Sequence, residues 1–226
     1  MSDGTQSSER DIQIALGEVT LNGSLAMVSG ASGLVLFVHG SGSSRFSSRN
    51  RQVAGYLRKG GMATLLFDLL SPEEERIDEQ TRELRFDIPL LTRRVTGVTT
   101  WLAQNPQTSA LPIGYFGAST GAAAALEAAA HFAGLSGLVR AVVSRGGRPD
   151  LAMDSLGAVV APTLLIVGSD DPAVIEMNRR AFERLTAVKE LRIVPNATHL
   201  FEEPGTLEEV ARLARDWFER YLPLKA

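Results

Sequence analysis

Short, unbroken apolar runs alternate along this chain with stretches of helical periodicity. Leu34-Val-Leu-Phe-Val38 is the first such run. It lacks polar alternation, so a strand formed from it must be covered on both faces. Similar runs recur at 63–67, 113–116, 138–143, 163–167 and 191–194. Helical spacing occupies 48–59, roughly 87–104, 119–132, 173–185 and 206–221. In the last, Leu207, Val210, Ala211, Ala214, Trp217 and Phe218 form one apolar stripe. Strands that alternate with helices imply an α/β fold with a mostly parallel sheet. Residues 12–16 and 18–28 do alternate apolar with polar, around Gly17 and Asn22-Gly23, and predict an opening hairpin. Counting both, eight strands are expected, with helices on both faces. The polar residues 1–11 are expected to be flexible, and 1–226 to form one domain.

Composition removes several function classes. The 23 Lys plus Arg and 26 Asp plus Glu leave a net charge of −3, without the basic excess of a nucleic-acid binder. No apolar run nears the ~20 residues of a membrane helix, and the N-terminus has no apolar leader segment. A cytoplasmic protein with neither nucleic acid nor membrane as partner is expected. With no Cys there is no disulfide, thiolate metal site or Cys nucleophile. The charged stretch 71–86 reads as a solvated helix face, so any cap over a site is minimal or absent.

The chemistry centres on Gly117-Ala-Ser119-Thr-Gly121, which follows an apolar strand and opens an Ala-rich helix. This is the G-x-S-x-G pattern in its strand–turn–helix context. A side chain at either glycine would meet neighbouring backbone in so sharp a turn. The turn lifts the Ser119 hydroxyl to a helix N-terminus, where the Thr120 N–H can face an oxyanion. The competing role for Ser119 is an ordinary helix cap.

A serine nucleophile needs a base. Of the three histidines, His131 ends the helix that Ser119 begins, roughly 18 Å away at about 1.5 Å per residue. His39 closes a strand before a glycine-rich loop and reads as a brace for that loop. His199 follows the last strand, where loops of α/β sheets line sites. It is the expected base. The acid should come from Gly168-Ser-Asp-Asp171, with Asp171 favoured and Asp170 the alternative. In Gly40-Ser-Gly42 the Ser41 N–H is expected to join that of Thr120 as oxyanion donor.

Together, His39-Gly-Ser-Gly, Gly117-Ala-Ser-Thr-Gly, Gly168-Ser-Asp-Asp and Ala197-Thr-His199 resemble the dienelactone-hydrolase-like group of α/β-hydrolases over about 18–222. The resemblance implies an α/β-hydrolase fold, a Ser119–Asp171–His199 triad and an oxyanion hole from Ser41 and Thr120. It implies no metal and no organic cofactor. It also points to domains linked with phosphoribosyltransferases, without naming a substrate. The enzyme that names the group uses a Cys nucleophile, so its lactone substrate is not carried over.

The expected activity is hydrolysis of a carboxylic ester or related acyl bond of a small molecule. Acyl transfer, cofactor-free perhydrolysis and a non-catalytic binding module are the alternatives. Of 23 cationic residues 20 are Arg, and some fall in two stretches expected as loops after strands, 43–51 and 144–148. Arg45, Arg145 and Arg148 are candidate readers of an anionic substrate group. Their other reading is as loop braces paired with Asp68, Asp87, Glu202 or Glu203.

Overall fold

Eight strands form one sheet in the computed structural model, which describes residues 7–135 and 137–223. The strands are β1 (Ser7–Leu16), β2 (Val19–Val28), β3 (Leu34–Val38), β4 (Ala63–Phe67), β5 (Ile113–Ala118), β6 (Val139–Arg145), β7 (Thr163–Gly168) and β8 (Lys189–Val194). Their order across the sheet is β1-β2-β4-β3-β5-β6-β7-β8. The β1–β2 and β2–β4 pairs are antiparallel and all others parallel. The helices are α1 (Ser48–Lys59), α2 (Pro72–Thr81), α3 (Ile88–Gln104), α4 (Thr120–His131), α5 (Pro172–Arg184) and α6 (Thr206–Tyr221). This is the mostly parallel α/β sheet that the sequence implies.

The continuous apolar runs are explained by two cores. In β3, Leu34, Leu36 and Val38 join the core that contains α3 and α4 side chains. Val35 and Phe37, of opposite parity, join the core under α1 and α6. The Phe37 and Phe116 rings meet in that second core at 4.9 Å between centroids. Because β3 to β8 are parallel, their C-terminal ends lie along one edge. The loops at 39–47, 68–71, 146–148, 169–171 and 195–205 therefore gather there.

Two expectations need correction. Residues 7–11, expected to be flexible, belong to β1 and pair with β2 from Ser7↔Val28 to Asp11↔Ser24. Ser24 Oγ also donates to Asp11 at 2.8 Å. An edge strand is held by its ladder and needs little apolar surface, so composition misleads there. Residues 1–6 lie outside the described residues. The sixth strand was expected to end at 143 but continues through Ser144 and Arg145, which pair with Gly117 and Ala118 of β5. Arg145 is thus a strand residue rather than a loop residue.

The charged stretch forms α2. Ser71 accepts from the Glu74 N–H, while the Glu74 carboxylate accepts from the Ser71 N–H, a reciprocal capping box. Most of the helix is exposed, but Asp78 is buried and accepts from the Arg85 backbone N–H at 3.0 Å and its guanidinium.

One glycine fixes how α4 meets the sheet. A Cβ on Gly121 would enter the backbone carbonyls of Val38 and His39, and neither has a flexible end to move. Gly121→Ala is therefore expected to destabilise the protein by about 3 kcal/mol or more, as overpacking against backbone does. Urea unfolding followed by far-UV circular dichroism measures it as a lowered midpoint at unchanged m.

Candidate active site

Ser119 joins β5 to α4 with φ 50° and ψ −124°, a conformation that L-residues rarely adopt. It is held there from both sides. Its N–H donates to the Arg145 carbonyl at 3.2 Å, and its carbonyl accepts from the Arg148 N–H at 3.0 Å. A Cβ on Gly117 would strike the Ala122 backbone. Both glycines of the motif thus have the steric role expected. Ser119 occupies the N-cap position, yet its side chain caps nothing. The helix-cap role is not realised.

Asp171 and His199 come together across the sheet edge. His199 Nδ1 lies 2.7 Å from Asp171 Oδ2. Asp171 precedes α5 but turns its carboxylate to the imidazole instead of the helix. Asp170, the alternative acid, accepts from the Ser169 hydroxyl at 2.9 Å. The choice between neighbours is thus a matter of where each side chain points. A Cβ on Gly146 would lie 3.5 Å from the His199 ring, and the residue before it carries the carbonyl that holds Ser119. Ser119 and His199 therefore flank one short stretch of chain. Among the described residues, Ser119 Oγ and His199 Nε2 make no hydrogen bond. Such contacts often close only when substrate is bound.

The Ser41 N–H donates to Thr120 Oγ1 at 2.9 Å. The two expected oxyanion residues are therefore in contact, through a side chain that sequence reasoning did not consider. His39 is buried at 7% exposure and braces the loop. The Leu69 N–H donates to its Nε2 at 3.1 Å, which makes Nδ1 the protonated nitrogen facing the Gly40 carbonyl at 2.8 Å. Burial pushes its pKa below the ordinary 6.5 despite the Gly40 bond and the Asp68 charge. His131 sits in the last turn of α4, its ring edge against Phe132.

The three arginines behave differently. Arg45 pairs with Asp68 through both its N–H and its guanidinium. Arg148 makes a two-pronged pair with Asp150 at 2.8 and 2.9 Å. Arg145 is 6% exposed and has no carboxylate partner among the described residues. It reaches Asn50 Oδ1 at 3.4 Å and lies 5.9 Å from the Phe201 ring centre. Burial, with Arg49 nearby, lowers its pKa to about 10. Of the other expected acids, Asp87 caps α3 at Leu90, Glu202 pairs with Arg49 and Glu203 holds the Thr198 turn before His199. A sequence shows the charges but not this assignment of partners.

Beside the 39–47 loop lies a cleft of about 230 Å³, bounded by His39, Ser43, Phe46, Asp68, Leu70 and Glu75. Burial and the Asp78 charge raise the Glu75 pKa. Among the described residues, no three His, Asp or Glu side chains converge to hold a metal ion. No helix there is long and apolar enough to cross a membrane.

No family model matches the chain. A dienelactone hydrolase from Anabaena variabilis is 58% identical, covering 96% of this chain and 99% of its own, with a TM-score of 0.93. A Pyrococcus furiosus esterase (19% identical; 95% of this chain, 92% of its own) has a TM-score of 0.73 and shares the fold. Two Mycobacterium tuberculosis proteins named putative phosphoribosyl transferases are 58% identical over 95% of this chain. The chain spans about half the length of these curated relatives, 47%.

The His39 environment has a consequence for stability. In the unfolded chain His39 takes up a proton below about pH 6.5, while in the fold it stays neutral to lower pH. The unfolded state then binds more protons, so His39's contribution is present above that pH and is lost as pH falls through and below it. Urea midpoints are expected to fall between pH 7.5 and 5.5. His39→Gln, which cannot titrate, should flatten that part of the slope.

Proposed function

The chain belongs to the dienelactone hydrolase family, and we propose that it is a serine hydrolase acting on a carboxylic ester or related acyl bond of a small molecule. The observation that carries this reading is the Ser119 backbone, strained at a strand–helix junction with no capping role to explain it. The Asp171–His199 contact supports it by fixing the imidazole so that Nε2 is left for the serine.

In this reading His199 Nε2 takes the Ser119 proton as Oγ bonds to the substrate carbonyl carbon. The negative charge gathers on the carbonyl oxygen at the α4 N-terminus. When the intermediate collapses, the acyl–oxygen bond breaks and His199 protonates the departing alcohol. Water, deprotonated by His199, then attacks the acyl-enzyme and frees Ser119. Asp171 stabilises the imidazolium formed in each half-reaction.

The transferase in the curated relatives' name is not proposed for this chain. It describes proteins of which the matched part is less than half. Nor does the arginine geometry favour an anionic substrate. Arg45 and Arg148 are each neutralised by a carboxylate, and Arg145 is buried against Asn50. We therefore read Arg45 and Arg148 as loop braces and Arg145 as a buried strand residue held against α1 through Asn50.

A fluorophosphonate probe tests the nucleophile. Labelling is expected at Ser119 in folded protein and not in Ser119→Ala; no labelling, beside a control hydrolase that labels, overturns the enzyme reading. The acid is tested by paired variants. Asp171→Asn should lower kcat by about 10³–10⁴-fold, while Asp170→Asn should stay within about twofold. For the arginines, the ratio of kcat/KM between matched anionic and neutral esters should be the same in Arg145→Met as in the parent. A ratio that falls would make Arg145 an anion reader.

A further inference from the structure

The proposed oxyanion hole has one donor already engaged. The Ser41 N–H, expected to face the substrate, instead donates to Thr120 Oγ1 at 2.9 Å. A hydroxyl carries one proton to donate as well as lone pairs to accept. Thr120 is 4% exposed, and among the described residues its hydroxyl proton has no acceptor. A buried donor without an acceptor is costly to leave. Its place is also specific. Thr120 directly follows the strained Ser119 and is the first residue of α4, where backbone N–H groups have no intrahelical partner.

We propose that the Thr120 hydroxyl is itself an oxyanion donor: it accepts the Ser41 N–H and donates its own proton to the substrate carbonyl oxygen, beside the Thr120 N–H. This rests on the serine-hydrolase reading and extends it. Accepting from Ser41 polarises the hydroxyl and makes it a better donor. The same bond fixes its rotamer, so little reorganisation is needed as charge develops. Ser41 thereby acts as a positioning residue through Thr120. Among the described residues the Thr120 hydroxyl is engaged by the Ser41 N–H alone, and Gly40 and Gly42 beside Ser41 bring no side-chain acceptor. The missing acceptor is what a carbonyl oxygen supplies.

Thr120→Val removes the hydroxyl and keeps both backbone donors. It is expected to lower kcat/KM by about 10²–10³-fold, the scale of one lost oxyanion donor. Thr120→Ser, which restores the hydroxyl, should recover most of that loss. Affinity for a trifluoromethyl ketone, whose adduct carries the oxyanion, should fall in Thr120→Val by the same factor. In an acyl-enzyme trapped with a slowly hydrolysed ester, the infrared carbonyl band should move to higher frequency in Thr120→Val.

Other results overturn the proposal. A Thr120→Val enzyme as fast as the parent, or faster, would make the hydroxyl a placeholder that merely blocks Ser41. A slower enzyme with unchanged ketone affinity and carbonyl band would make Thr120 structural only. If the parent forms no adduct at Ser119, the hydrolase reading falls and this inference with it. An adduct at Ser119 with an unmoved band sinks this inference alone.

Discussion

The close approach of the α4 N-terminus to the ends of β3 and β5 is the contact on which the site depends. It requires Gly117 and Gly121, because backbone already fills the space where their side chains would be. It also forces Ser119 into a left-handed conformation that only tight support from Arg145 and Arg148 backbone groups maintains. Strain of this kind costs roughly 1–3 kcal/mol and persists where the surroundings over-determine it. Here the stability comes from the two apolar cores, and the strained turn puts it to use.

Loops from distant parts of the chain converge on that turn, and each is braced differently. His39 ties the glycine-rich loop after β3 to the end of β4 as a neutral imidazole. Asp68 holds the next stretch through Arg45, and Glu203 holds the turn before His199 through Thr198. Most of these braces use charge that a composition count treats as surface. In a partly buried edge, an arginine with its carboxylate fixes a loop more than it offers a free cation. Along this edge the Arg bias of the sequence is therefore largely a matter of Arg45, Arg49 and Arg148 holding carboxylates. It gives little support to an anionic substrate.

Much of this was legible in the residues themselves. Runs such as Leu34–Val38 report two-sided burial directly, so the parallel sheet follows from local pattern. The G-x-S-x-G motif carries its own steric logic, and three histidines are few enough for elimination. What failed was whatever depends on partners. The polar segment 7–11 became strand because β2 lies beside it. Arg145 became strand because β5 and β7 pair with it.

The sequence by itself determined the fold class and the place of the Ser119 turn, and it singled out His199 and, with Asp170 as the alternative, Asp171, which the structure brings into contact. These depend on periodicity, backbone sterics and chain order, all of which are local or one-dimensional. Tertiary structure decided that Asp171 rather than Asp170 faces His199, that Arg45 and Arg148 are already paired, and that Ser41 meets the Thr120 hydroxyl. Each of these is a choice between groups a few ångströms apart. Hydrogen bonds discriminate at that distance, and sequence spacing does not.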